Sequence, residues 1–445
     1  MPGASCLNVT LLGCGVVGSA VARGLVMQSD ALAARAGAFL RLHAIVVRDP
    51  AEVTDPEIPR DVISTDAAAA LDGADLVIEL FGGIEPARTL IRQAFQNGAS
   101  VVTANKALLA AHGPELFEAA DAAGVDLYYE AAVGGAIPIV RPMRESLAGD
   151  NVRRVLGIVN GTTNYVLDRM AADGLTLADA VAQAQALGYA EADPTADVEG
   201  HDAAAKAAIL ASLAFHTRVS AADVACEGIM AVTAEDVAWA ARTGHVIKLL
   251  ATAERVGEGV SAYVHPTLVP ADHQLASVRG AFNAVFVEAE SAGPLMFFGQ
   301  GAGGTPTSSA VLGDLVSVAR HRVNGGMGPR ESAAASWPIL PASAATTSFQ
   351  IRLTVADRPG VLAQVAGALA EHGVSIDSVR QPSARQSAPS PSGATAAPAT
   401  CDTDTTQLLI TTHPATEAAL TATVEAVATL DSVGAVVSVL RVLTT

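Results

Sequence analysis

The chain runs to 445 residues, too long for one core, so two to four domains are expected. Half of its residues are hydrophobic and only 16% are charged, which excludes a disordered chain. A formal charge of −18 argues against nucleic acid and anionic membrane surfaces as partners, while an anionic small molecule, needing only local positive charge, stays open. In chain order, the opening MPGASCLNVTLLGCG lacks a basic leader and enters a strand almost at once, so no signal peptide is expected. Residues 7–12 read as a strand, 13–18 as a glycine turn and 19–28 as a helix. Residues 40–47, 75–80 and 101–103 follow as strands between helical stretches. That alternation predicts a doubly wound parallel sheet, an α/β nucleotide-binding domain over 1–130.

From 131 to 324 the pattern changes to a central α+β unit. Strands at 155–159 and 285–289 mix with Ala-rich helices around 176–187, 203–215 and 234–252, and its sheet is a candidate for oligomer contact. Residues 325–347, rich in Ala, Ser and Pro, read as a linker. The remainder, 348–445, reads strand 349–355, helix 361–372, strand 374–381, strand 407–412, helix 417–430 and strand 435–443, the ferredoxin-like β-α-β-β-α-β order. Its interruption, 382–405, is Pro/Ser/Ala/Thr-rich and predicted to be a disordered loop. The uncharged runs 291–313 and 332–351 are broken by Gly, Pro, Ser and Thr and do not resemble membrane spans. Cys6, Cys14, Cys226 and Cys401 lie far apart without disulfide or CxxC spacing, and a reducing cytoplasm is the simplest setting.

The chemistry starts at Gly13-Cys14-Gly15-Val16-Val17-Gly18. Glycines directly after a strand let the backbone turn tightly and approach a pyrophosphate, which then meets a helix N-terminus. At the end of the second strand, Arg48 points to NADP through its 2′-phosphate, while the adjoining Asp49 leaves NAD open. Gly82, in Phe81-Gly82-Gly83, and Thr103 and Lys106, in Thr103-Ala104-Asn105-Lys106, fall at carboxyl ends of strands, where ligands bind open α/β sheets. A lysine there is a candidate to fix a carboxylate or move a proton.

The segment 188–206 gathers Tyr189, Glu191, Asp193, Asp197, Asp202 and Lys206. Asp202 and Lys206, four apart on a helix, share one face. An amino-acid substrate needs a carboxylate for its ammonium, and a carbonyl accepting hydride needs a proton donor, a role open to Lys206. An ordinary helix ion pair beside a solvated acidic loop explains the spacing equally well.

Eight blocks, in order, carry a family resemblance: LLGCGVVGSAV, VRDP, FGGIEP, TANKALLA, EAAVGGAIPIVRP, GIVNGTTNYVLDRM, GYAEADPTADVEGHDAAAK and GQGAGGTPTSSAVLGDL. The chain resembles homoserine dehydrogenases along nearly its whole length. The resemblance implies a Rossmann-type first domain and reversible NAD(P)-dependent interconversion of L-homoserine and L-aspartate 4-semialdehyde. It implies Lys206 as proton donor and Lys106 as the lysine near nicotinamide and substrate. Glu191 and Asp202 become substrate-binding acids supported by Asp197, with Gly161, Thr162 and Tyr189 around them, and Gly301 approaches the nicotinamide. A structural Na+ or similar cation, held mainly by backbone carbonyls, is implied at Glu130, Val133, Gly135, Ile137 and Gly188.

The C-terminal unit resembles an ACT domain through LTVADRPGVLAQVAGALAEHGVSIDSVRQ. This implies an effector, L-threonine in this enzyme class, at Asp357, Arg358, Pro359 and Gly360, and a homodimer or homotetramer. The long interruption after Gln381 departs from the tight connection usual there and weakens the effector assignment. Phosphoglycerate- or prephenate-type dehydrogenases would need a histidine-centred site, and aspartate-semialdehyde dehydrogenase a nucleophilic cysteine; neither set is in place. An inactive sensor is disfavoured because both lysines and every acid of the substrate block are retained.

Overall fold

The computed structural model describes residues 5–381 and 405–444. Six strands, β1 (Cys6–Leu12), β2 (Phe39–Val46), β3 (Ile63–Ser64), β4 (Leu76–Glu79), β5 (Ser100–Thr103) and β6 (Leu127–Tyr128), form a parallel sheet in the order β3-β2-β1-β4-β5-β6. This is the doubly wound Rossmann order, and its reversal beside β1 opens a crevice at the strands' carboxyl ends. Helices cover both faces, so β4 and β5 are buried throughout, their polar ends Glu79 and Thr103 included.

The second sheet joins the remaining strands: β7 (Val152–Ile158), β8 (Ala225–Cys226), β9 (His245–Val256), β10 (Gly259–Pro270), β11 (Phe282–Ala289), β12 (Gly293–Gln300), β13 (Thr346–Ala356), β14 (Ile376–Arg380), β15 (Thr405–Thr412), β16 (Ala415–Thr416) and β17 (Val433–Val442). Among the described residues its order is β12-β11-β7-β9-β10-β17-β13-β15-β14, with β8 beside β10 and β16 beside β13. Helices Gly161–Asp173 and His201–Phe215 lie along the central strands and carry much of the site. The last four strands of that order, with helices Val361–Glu371 and Glu417–Ala428, make the expected β-α-β-β-α-β unit. It is not merely tethered: β17 pairs in parallel with β10 through Thr267↔Arg441 and Leu268↔Val442.

Three expectations are corrected or displaced. The helix expected over 234–252 stops at Arg242, because Thr243 and Gly244 break it and the β-branched, aliphatic run that follows is β9. Helix Gly304–Asn324, read with the central unit, returns to the first domain: Val311, Leu315 and Val318 share a core with Leu11, Val21 and Leu25. The 325–347 segment is no loose linker, since Val260 exchanges backbone hydrogen bonds with Pro338 and Leu340 and Arg255 stacks 4.0 Å over the Trp337 ring. Residues 382–404, nearly all of the expected loop, lie outside the described residues, as does Cys401. Cys6, Cys14 and Cys226 are free thiols. Among the described residues no helix is long and apolar enough to cross a membrane.

Candidate active site

At the end of β1, Gly13 turns with φ +101° and Gly15 starts helix Val16–Met27. A methyl on Gly18 would lie 2.2 Å from the Gly13 carbonyl, so only glycine lets the helix sit this close to the strand. The turn is open where a ligand would arrive: nothing approaches within 4 Å of a methyl at Gly15, and Val16 is 79% exposed. Arg48 is exposed after β2, whereas Asp49 accepts from the Ala51 N–H and caps a short turn.

Glu79, the last residue of β4, is a residue that the sequence reading missed. It is fully buried, accepts the Thr103 hydroxyl at 2.6 Å and the Phe81 N–H at 2.8 Å, and so ties the 81–83 turn to the end of β5. Burial pushes its carboxyl pKa up against those hydrogen bonds. Thr103 therefore turns its hydroxyl inward and supports the cofactor edge from behind. Asn105 caps the helix that Lys106 begins, which aims Lys106 across the crevice.

Both lysines converge on one carboxylate. Asp202 Oδ1 lies 2.5 Å from Lys106 Nζ and Oδ2 lies 2.8 Å from Lys206 Nζ, which also donates to the Val159 carbonyl at 2.7 Å. Burial raises the Asp202 pKa, but Lys206 and Lys106 outweigh it and hold the carboxyl well below the usual range. Asn160 finishes the arrangement: Oδ1 caps helix Gly161–Asp173, and Nδ2 donates to Asp197 at 2.7 Å and Asp202 at 2.9 Å. An asparagine before a helix reads in sequence as a cap, and its second role has no local signal. Thr162 donates to the Tyr189 carbonyl at 2.6 Å, fixing the loop that presents Glu191, which is exposed.

These residues surround a cleft of about 780 Å³, with Val17, Ala104 and Lys106 on one side and Gly161, Thr162, Tyr189, Glu191, Asp197, Asp202 and Lys206 on the other. Gly301, Gly135, Val133 and Gly188 also border it. The size suits a small amino acid together with the reacting end of a dinucleotide. Carboxylate side chains near an ammonium donor, opposite a glycine turn of the kind that cradles a phosphate, suit it to hydride transfer to a small polar substrate.

The implied cation loop is distinct in chemistry. The Glu130 carboxylate is filled by the N–H groups of Ile139, Val140 and Arg141 and by the Arg141 side chain, so it has no side-chain oxygen to offer a metal. Among the described residues no group of three His, Cys, Asp or Glu could hold one either. What the loop offers is carbonyls: among the described residues, those of Gly135 and Ile137, just beyond the short helix Ala131–Gly134, accept no hydrogen bond from the loop backbone.

Three family models match the chain: "Homoserine dehydrogenase, NAD binding domain" at 13–130, "Homoserine dehydrogenase" at 138–316 and "ACT domain" at 349–409. A homoserine dehydrogenase of Corynebacterium glutamicum is 50% identical, the match covering 98% of this chain and 96% of that protein. The chain belongs to the homoserine dehydrogenase family. The crystal structure of a family member from Thiobacillus denitrificans superposes with a TM-score of 0.90 at 38% identity, covering 99% of both chains. A hyperthermophilic archaeal homoserine dehydrogenase solved in complex with NADPH matches with a TM-score of 0.61 at 26% identity, over 73% of this chain and 99% of that one. As a member of this oxidoreductase family with a nicotinamide-binding domain and an ACT domain, the chain has the expected α/β architecture.

One buried charge supports the substrate side from below. Lys248, 2% exposed on β9, donates to Asn164 Oδ1 at 2.9 Å and the Val278 carbonyl at 2.5 Å. Burial pushes its ammonium pKa from the usual 10.5 down to about 8, against the pull of Asp168. Below about 8 both folded and unfolded chains hold this proton; between about 8 and 10.5 only the unfolded chain does, so this group makes stability rise with pH across that window. In Lys248→Met that rise should be absent. Urea midpoints compared at pH 7.5 to 10 check it, and parallel curves for the two proteins would remove the claim.

Proposed function

We propose that the chain catalyses the reversible, NADP-dependent interconversion of L-homoserine and L-aspartate 4-semialdehyde, a step towards threonine, methionine and isoleucine. The observation that carries this reading is the convergence of Lys106 and Lys206 on buried Asp202, in a cleft that runs up to the glycine turn. A bound nicotinamide supplies or accepts the hydride. Lys206 delivers a proton to the developing alkoxide in the reducing direction and takes the hydroxyl proton in the other. Glu191 and Asp202 hold the substrate ammonium, Asp202 also orients both lysines, and Asn160 and Asp197 keep Asp202 in place. Lys106 fixes the reacting end of the substrate, and Gly161, Thr162 and Tyr189 shape its seat.

NADP is favoured over NAD because Arg48 is exposed at the ribose end while Asp49 is engaged in a cap. Gly13, Gly15, Val16, Val17, Gly18, Gly82, Thr103 and Gly301 complete the cofactor side. A structural monovalent cation, Na+ by preference, would be held by the carbonyls of Glu130, Val133, Gly135, Ile137 and Gly188. L-Threonine acts as effector at the exposed turn Asp357-Arg358-Pro359-Gly360, where β13 leads into helix Val361–Glu371. The assembly is a homodimer or homotetramer, and the compartment the cytoplasm.

The test is absorbance at the NADPH band with homoserine and NADP, repeated with NAD and with added threonine. Robust NADPH formation that threonine depresses is expected. No formation in either direction with either cofactor would sink the proposal.

A further inference from the structure

Asn283, the second residue of β11, lines the cleft yet has no part in the chemistry above. It is 1% exposed, and among the described residues its Oδ1 has no hydrogen-bond partner. A buried acceptor left unmatched is costly, and this one belongs to a residue of the cleft wall, where a bound ligand can supply the missing donor.

The position is built rather than incidental. A methyl on Gly301 would lie 1.9 Å from Asn283 Nδ2, one on Gly161 would lie 3.4 Å from its Oδ1, and one on Gly135 would lie 2.3 Å from the Gly301 carbonyl. Gly301 and Gly161, from distant parts of the chain, thus both meet this one carboxamide, each able to do so by lacking a side chain, and Gly135 packs in turn against Gly301. The strand end that carries it is pinned as well. Asn164 Nδ2 donates to the carbonyls of Gly280 at 2.8 Å and Phe282 at 3.1 Å, and Asp168 accepts the Gly280 N–H at 2.9 Å.

The direction of the wall identifies the ligand. From Gly301 the chain continues through 302–304 to the dinucleotide turn, where a methyl on Gly304 would lie 2.9 Å from the Val16 carbonyl. The acids suited to an ammonium stand elsewhere, on the 188–202 segment. What remains for Asn283 is a neutral, planar amide at the reacting end of the dinucleotide, which a carboxamide matches donor to acceptor.

We propose that Asn283 recognises the carboxamide of bound nicotinamide, its Oδ1 accepting the amide N–H and thereby setting the ring's orientation in the cleft. This rests on the nicotinamide reading above. The test is calorimetric binding to the full chain, without substrate, of NADP and of its 3-acetylpyridine analogue, in which a methyl replaces the amide nitrogen. The unaltered chain should prefer NADP by about fivefold to tenfold, the worth of one neutral hydrogen bond. Asn283→Ala should bring the two affinities together, chiefly by weakening NADP, whereas Asn283→Asp, which keeps an acceptor, should retain the preference. Equal affinities in the unaltered chain, or an undiminished preference in Asn283→Ala, overturns the assignment. Absence of any dinucleotide binding by the unaltered chain would instead fail the nicotinamide reading itself.

Discussion

Replacing Lys206 by alanine should lower turnover by roughly 10²- to 10⁴-fold, the usual range for losing a positioned acid–base group, while dinucleotide affinity stays near that of the unaltered chain. The separation follows from geometry. Lys206 lies on helix His201–Phe215, at the acidic side of the cleft, with its ammonium on Asp202 and the Val159 carbonyl. The phosphate turn at residues 13–18 belongs to the other domain and shares no hydrogen bond with it. In Lys206→Ala, Asp202 keeps Lys106 and Asn160 as partners, so its carboxylate is not stranded and the fold should hold. Single-turnover kinetics beside NADPH titration measure the two quantities independently. Turnover within a few fold of normal would take Lys206 out of the proton transfer, and a parallel collapse of cofactor binding would recast it as structural.

The largest expected effect on stability lies far from the cleft. Arg352, 3% exposed on β13, places Nη2 2.6 Å from Asp236 Oδ1 and Nη1 2.5 Å from Glu235 Oε1, both on helix Ala234–Arg242. This joins the C-terminal unit to the central one. Arg352→Met leaves the buried Asp236 carboxylate facing a thioether. Uncompensated buried charges of this kind cost about 3–5 kcal/mol. Thr233 keeps two hydrogen bonds on Asp236, through its N–H and its hydroxyl, so about 2–3 kcal/mol is the better expectation. The loss should appear in urea unfolding as an earlier transition of the C-terminal unit. If the midpoint stays within error of the unaltered chain, the pair is not holding the units together.

Legibility in the sequence tracked locality. The glycine turn, the Asp202–Lys206 spacing and the β-α-β-β-α-β order are all written within a few residues, and the structure places each as expected. The Lys106–Asp202 contact joins residues almost a hundred positions apart, and no spacing rule reaches that far. Glu79 looks like the end of an apolar strand, and Lys248 fell in a stretch read as helix; only packing shows that the first ties the 81–83 turn to the end of β5 and the second joins Asn164 to the Val278 carbonyl. The misread helix 243–252 has a similar cause. Ala and Leu in LLATA suit a helix, but the alternating pairing of β9 with β10 along its whole length decided the outcome. Asp49 competed with Arg48 as a ribose ligand, although its capping bond to the Ala51 N–H, two residues on and just before a proline, is local and was open to a sequence reading.

The seam between β10 and β17 has a consequence for the chain's solubility. β10 is buried along nearly its whole length and fully paired with β9 on one side. On the other side it is closed by three unrelated pieces: the 338–340 segment at Val260, β8 at Tyr263 and Val264, and β17 at Thr267 and Leu268. Two of those three arrive with the C-terminal third of the chain. An apolar strand stripped of such cover offers bare N–H and C=O groups to any passing strand. The C-terminal unit thus acts as an edge guard for the central sheet, and a shortened chain would have to disguise that edge to stay dispersed.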